Sequence, residues 1–379
     1  MHYRPNRTAL SLLVLSALAL PGCVSERIAI AFTDAPNGGL ETVNPERVGP
    51  PIFDRQGEVD VPGPPPATLA YWVMEPGPGH VSPVPDSADP PTADAPPGWR
   101  VLDAKANGSP AFLRTLRGPQ RERADARATV VVLQGWGTRV RTADYLLHLN
   151  TILADAGCRV ICPDLRGHGD STGEFVTSGY REVEDLSALL DDFQQRGLLQ
   201  GPVGVIGHSY GGGIAIQFAA HDPRVERVLA LSPLVDIRPA MLPGIRAFLQ
   251  EMRPIQWTLY LQWLINQDAI DLAQQKMQQR TGADLAVHNA LHQISRVEAP
   301  VLVLQGDDDI ATPLAGAERL REANPEAVEL VVYPGGDHTS YLRDDFADLE
   351  PRLRTWVEGL AASAPRDTTA TRDTAPSGG

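Results

Sequence analysis

Along the middle of the chain, short apolar runs alternate with stretches of helical period. Thr129 to Leu133 is one such run. Leu146, Leu149, Ile152 and Leu153 then recur at helical spacing, and Val160 to Cys162 is a second, shorter run. Val183, Leu186, Leu190 and Phe193 predict a helix, Val203 to Ile206 a strand, Ile214 to Ala220 a helix, and Val228 to Leu231 another strand. Val301 to Leu304 and Leu330 to Tyr333 read as two more strands, with a short helix around Glu318 to Ala323 between them. Phe346, Leu349, Leu353, Trp356 and Leu360 close the pattern with an amphipathic helix. All-apolar strands separated by helices predict a mostly parallel sheet buried on both faces.

One interval breaks the alternation. Residues 236–297 hold no strand-like run, only Gln-rich helical sequence, which predicts a helical cap over the C-terminal edge of the sheet, where open α/β sheets bind ligands. Trp257, Tyr260, Leu261 and Leu264 form an apolar stripe there, suited to cap packing or to the floor of an acyl pocket. Residues 36–97 contain 16 of the 34 prolines. Proline blocks helix and ladder hydrogen bonds, so 23–60 reads as a Pro-rich tether and the folded domain as 61–363, with a strand over Ala67 to Met74. Residues 364–379 lack any apolar period and read as a disordered tail.

The first 22 residues carry Arg4 and Arg7 ahead of a 12-residue apolar run from Ala9 to Leu20, too short to span a bilayer but suited to a signal peptide. The run ends in Leu20-Pro21-Gly22-Cys23, which resembles a bacterial lipobox and implies lipidation at Cys23. With Val24 and Ser25 behind it, the sorting pattern implies the outer membrane, with the domain facing the periplasm. A net charge of −14 and no basic block argue against nucleic-acid binding. Three cysteines exclude a disulfide-built scaffold. Cys158 and Cys162 fall on one expected strand with Cα atoms about 13 Å apart, beyond disulfide reach.

Gly207-His208-Ser209-Tyr210-Gly211 fits G-x-S-x-G and sits between an expected strand and an expected helix, the context of a nucleophile elbow. A serine hydroxyl needs a base to become a nucleophile, and the base needs an orienting carboxylate. Candidates lie at the ends of the two last strands, in Gly306-Asp307-Asp308-Asp309-Ile310-Ala311-Thr312-Pro313 and in Pro334-Gly335-Gly336-Asp337-His338. Weaker signals are His288 and His292 at i, i+4 spacing, which lack a third metal ligand, and a misspaced glycine string after Gly167 that makes a poor dinucleotide fingerprint.

With these motifs in this order, residues 129–360 resemble the α/β-hydrolase superfamily, in its cap-bearing esterase, lysophospholipase and serine-aminopeptidase-like branch. Asp164 to Ser171 is similar to the loop that follows the second central strand in that family. The resemblance implies an α/β-hydrolase fold, Ser209 as nucleophile, His338 as base and Asp309 as acid, with Asp307, Asp308 and Asp236 as alternatives for the acid. It implies an oxyanion hole from the N–H groups of Tyr210 and Trp136, the latter in Gln134-Gly135-Trp136-Gly137, where the family carries His in place of Gln134. The expected activity is hydrolysis of small acyl esters through an acyl-enzyme, with no cofactor and no metal. The alternatives are a peptidase or acyltransferase on the same triad, or a non-catalytic envelope binding protein on the same fold.

Overall fold

A computed structural model describes residues 21–36, 52–84, 100–105, 112–118, 125–139, 144–242, 245, 265–342 and 346–363. Eleven strands are described: β1 (Arg55–Val61), β2 (Ala67–Met74), β3 (Gly79–Val84), β4 (Arg100–Lys105), β5 (Phe112–Arg117), β6 (Ala128–Leu133), β7 (Cys158–Pro163), β8 (Val203–His208), β9 (Val225–Leu231), β10 (Val301–Gly306) and β11 (Val328–Tyr333). The helices used below are α1 (Pro21–Thr33), α2 (Asp144–Asp155), α3 (Glu182–Gln195), α4 (Tyr210–His221), α5 (Gln267–Thr281), α6 (Ala290–Gln293), α7 (Leu314–Ala323) and α8 (Phe346–Ala361).

The main sheet has eight strands in the order β1-β2-β7-β6-β8-β9-β10-β11. β1, β2 and β7 pair antiparallel, and every pairing from β7 to β11 is parallel. This is the α/β-hydrolase arrangement expected from the sequence. The all-apolar strands follow from two-sided burial: successive side chains point to opposite faces. Val130 and Val132 join a core with Leu146, Leu149 and Ile152 of α2 and Leu349, Leu353 and Trp356 of α8. Val131 and Leu133 join the opposite core with Leu186 and Phe193 of α3, Ile214 and Phe218 of α4, and Leu320 of α7.

Cys158 and Cys162 both lie on β7 as buried free thiols, and burial pushes the Cys158 thiol up to about 12. The two Cys sulfurs therefore stay protonated and unreactive.

The N-terminal part differs from its expectation. The expected tether over 23–60 holds, among its described residues, most of α1 and all of β1 but Val61. Val24, Ile28 and Ala29 bury against Ile270, Ala273 and Met277 of α5, and Lys276 pairs with Glu26 at 2.6 Å. Arg280 also pairs with Asp34. These apolar positions share one helix face, and covering them outweighs the cost of ordering the segment. Within the proline-rich interval 36–97, β3 is a strand, and it forms a separate antiparallel sheet with β5 and β4. Pro83 is compatible with this because β3 is an edge strand. Of the expected cap, the structure describes 236–242, 245 and 265–297, including α5 and α6. Trp257, Tyr260, Leu261 and Leu264 lie outside the described residues, as do the tail 364–379 and residues 1–20.

Behind the sheet edge, Arg166 makes a two-point ion pair with Asp185 of α3, Nε to Oδ2 at 2.6 Å and Nη2 to Oδ1 at 2.7 Å, with both side chains 1% exposed. Replacing Arg166 with Met strands the carboxylate in the interior, so the expected loss is about 3–5 kcal/mol in a urea unfolding series. An unchanged midpoint would mean that the pair is structurally idle.

Candidate active site

The C-terminal ends of β6, β8, β10 and β11 lie along one rim of the sheet, and each delivers one part of the site. The tightest local geometry is at β8. A Cβ at Gly207 would stand 2.1 Å from the Gly211 carbonyl oxygen, and one at Gly211 would stand 2.5 Å from that of Gln134. Only glycine allows a turn this sharp. At its apex Ser209 adopts φ 56° and ψ −117°, a region costly for a residue with a side chain. Its amide donates to Leu231 O at 2.8 Å, and its carbonyl accepts from Leu234 N at 2.8 Å and Gly213 N at 3.1 Å, which hold the strained turn in place. Among the described residues Ser209 Oγ makes no hydrogen bond. In unliganded hydrolases such contacts are commonly long and tighten when substrate binds.

Asp309 and His338 meet directly, with His338 Nδ1 2.8 Å from Asp309 Oδ2. The carboxylate is 3% exposed and is surrounded by donors. Oδ1 accepts from the amides of Ala311 and Thr312, both at 2.9 Å; Oδ2 accepts from Gln305 Nε2 at 3.0 Å and Thr312 Oγ1 at 2.7 Å. Burial alone would push this carboxyl up, but the bond and charge of His338 and the Thr312 donors outweigh it and hold it well below the usual carboxylate range. Asp309 therefore stays ionised, and an ionised Oδ2 fixes the His338 proton on Nδ1, leaving Nε2 without a proton.

The two loops carrying these groups are locked together through main chain. A Cβ at Gly306 would lie 2.1 Å from Gly336 O, and Asp308 N donates to Gly336 O at 3.0 Å. Asp307 instead accepts from Gly335 N, and Asp236 is held by Arg238 at 2.7 Å. Among the described residues the carboxylate bonded to His338 is that of Asp309, and none of Asp307, Asp308 and Asp236 bonds to it.

The depressed Asp309 carboxyl has a consequence for stability. The folded protein binds fewer protons here than the unfolded chain, so this contribution is complete above the ordinary carboxyl range and drains away as pH falls through it, from about 5 towards 2. In acid titrations followed by circular dichroism, the native protein should lose more stability across that window than Asp309→Asn. Equal losses would show that the carboxylate carries no such linkage.

The two candidate oxyanion donors also lie on this rim. Tyr210 is the first residue of α4, so its N–H has no acceptor within the helix. Trp136 follows β6, and its N–H has no acceptor among the described residues. The Trp136 ring stands edge-on to Tyr210, with centroids 5.3 Å apart, and to His168 at 5.8 Å, while Phe32 at the end of α1 packs against it at 6.4 Å. Gln134, where the family carries His, bonds locally. With its amide nitrogen toward Pro163 O at 3.1 Å, its oxygen accepts from Leu165 N at 2.9 Å. The loop is also tied to the elbow, because Gly211 N donates to Gln134 O at 3.1 Å. Tyr210 is fixed from its other end by donating its hydroxyl to Glu182 Oε1 at 2.9 Å.

Gln305 and Thr312, which bond to Asp309, and Glu182, which accepts from Tyr210, adjoin the candidate site and were not singled out from the sequence. Gln305 carried a visible signal, a polar side chain closing an apolar strand. His288 precedes α6 and places its Nδ1 2.9 Å from Asp284 O, while its ring lies on Tyr180 at 4.6 Å. Among the described residues no group of three or more His, Cys, Asp or Glu gathers to hold a metal.

Residues 124–344 match the family described as serine aminopeptidase, S33. The chain is similar to a monoacylglycerol lipase of Mycolicibacterium smegmatis, 27% identical over 257 residues, covering 62% of this chain and 89% of the relative. It is 27% identical over 270 residues to a pimeloyl-[acyl-carrier protein] methyl ester esterase of Neisseria meningitidis, covering 64% and 99%. An esterase of Pyrococcus furiosus shares the fold, with a TM-score of 0.54 at 17% identity over 85% of this chain and 96% of that one. With more than half of its length matched, the chain belongs to the serine aminopeptidase S33 family of α/β-hydrolases.

Proposed function

We propose that the protein hydrolyses acyl esters through a Ser-His-Asp triad. Ser209 Oγ attacks the acyl carbonyl as His338 Nε2 takes its proton. Asp309 stabilises the imidazolium, and the Trp136 and Tyr210 amides bind the oxyanion. The imidazolium then protonates the leaving alcohol. Water, deprotonated by the same imidazole, attacks the acyl-enzyme and releases the acid together with free Ser209. The observation that carries this reading is the Asp309–His338 bond at 2.8 Å on the same rim as the strained elbow. The lipase and esterase relatives support ester over amide, while the family's description as an aminopeptidase keeps peptide cleavage as the second reading. Turnover of p-nitrophenyl acyl esters against aminoacyl anilides decides between them, and faster anilide cleavage overturns the ester assignment. A fluorophosphonate that leaves folded protein unlabelled at Ser209 would favour a binding protein instead.

The lipobox-like segment supports anchoring through Cys23 in a bacterial envelope, at the outer membrane and facing the periplasm. Cleavage before Cys23 would remove only the first two residues of α1 and keep Val24, Ile28 and Ala29, which pack on α5. In this reading the anchor enters the cap directly, through a helix whose far end touches Trp136, so the site is held close to the lipid surface. Fatty-acid labelling that is lost in Cys23→Ser supports the anchor; label retained in that variant, or absent from the native protein, refutes it.

A further inference from the structure

His208 immediately precedes the elbow serine and is 4% exposed. Its ring lies against the imidazole of His338, with centroids 4.8 Å apart and planes at 51°, and its Nε2 is 3.2 Å from the His338 carbonyl oxygen. A carbonyl only accepts, so Nε2 must carry a proton. Resting on the assignment of His338 as the base, we propose that His208 is a positioning residue for it: the His208 Nε2–H holds the main chain of His338 so that Nδ1 stays on Asp309 while Nε2 faces the elbow.

The chemistry of the neighbourhood explains why a neutral imidazole suits this task. His338 becomes positive each time it takes the serine proton, and a Lys or Arg at 208 would place a second cation against it. Burial, and then the adjacent His338, push His208 down to about 3, so it remains an uncharged donor throughout the cycle. Its position is itself fixed by the elbow, because Ser209 N is bonded to Leu231 O at 2.8 Å. The nucleophile and the base are thereby set from two consecutive residues of one strand end. A shift in β8 then carries both groups together instead of opening the gap between them.

Two substitutions in the full chain test this. His208→Leu removes the donor at similar volume, and His208→Gln retains an N–H at the reach of the original Nε2. For p-nitrophenyl ester hydrolysis, counted per folded molecule from the unfolding curve, the Leu variant should lose roughly 10- to 100-fold in kcat, as expected for a displaced catalytic group. Its KM should stay within about twofold, because no substrate contact is removed. The Gln variant should recover most of the rate. The low-field proton resonance of the His338 Nδ1–H···Asp309 bond should remain sharp in the native protein and the Gln variant and broaden in the Leu variant. If His208→Leu does not fold, His208→Met makes the same comparison. Native kcat and resonance in the Leu variant, or a Gln variant as impaired as Leu, overturns the assignment. Absence of ester turnover in the native protein would instead count against the proposed reaction, and the resonance would still decide the role of His208.

Discussion

Ser209→Ala should lower kcat for ester hydrolysis by at least about 10⁴-fold while leaving the thermal midpoint unchanged. The size of the loss follows from the proposed mechanism: without Oγ no acyl-enzyme would form, and only the proposed oxyanion amides and substrate binding would remain to accelerate attack by water. The stability half of the expectation is as specific. Ser209 Oγ makes no hydrogen bond among the described residues, so its removal leaves no partner unsatisfied, and Ala bears the same backbone penalty at φ 56° as Ser does. Ser209→Gly sharpens the test. Glycine relieves the positive φ, so this equally inactive variant should be about 1 kcal/mol more stable than the native protein. Residual turnover above the background of the Ala variant's preparation, or a Gly variant less stable than native, would show that the turn is not strained to present a nucleophile.

Sequence was a good guide wherever burial was two-sided. Thr129 to Leu133, Val160 to Cys162 and Val203 to Ile206 carry no charged side chain because both faces of those strands are covered, and each falls within an observed strand. The elbow was legible for a related reason: Gly207 and Gly211 are dictated by backbone contacts a few residues away, so the constraint is local. The choice among Asp307, Asp308, Asp309 and Asp236 was not local. The pairing of Asp309 with His338 depends on β10 and β11 lying side by side and on Gly306 admitting the neighbouring loop. The same holds for Gln305 and Thr312, whose roles exist only because Asp309 is buried between them. α1 escaped for a different reason. Val24, Ile28 and Phe32 do recur at helical spacing, but over one short segment flanked by proline-rich sequence, and the partner that orders them, α5, is more than two hundred residues away.

Asp309→Asn carries the second large expectation, a fall of about 10⁴-fold in kcat with the fold retained at neutral pH. An asparagine at 309 must turn either its oxygen or its nitrogen toward the position of Oδ2, which now receives Gln305 Nε2, Thr312 Oγ1 and His338 Nδ1. If the nitrogen turns that way, His338 is driven to place its proton on Nε2, where it can no longer accept from Ser209. If the oxygen turns that way, the nitrogen faces the Ala311 and Thr312 amides, which already point their hydrogens at Oδ1 from 2.9 Å. Each orientation leaves donors facing donors, and neither supplies the negative charge that the imidazolium needs. The measurable distinction lies in alkali. If the wrong tautomer is the defect, hydroxide can take over part of the proton transfer, so kcat of Asp309→Asn should climb with pH well beyond the plateau of the native enzyme. A variant that stays equally slow at every pH would point to a displaced His338 loop, and one with native kcat would move the acid to another carboxylate, with Asp236 next in line.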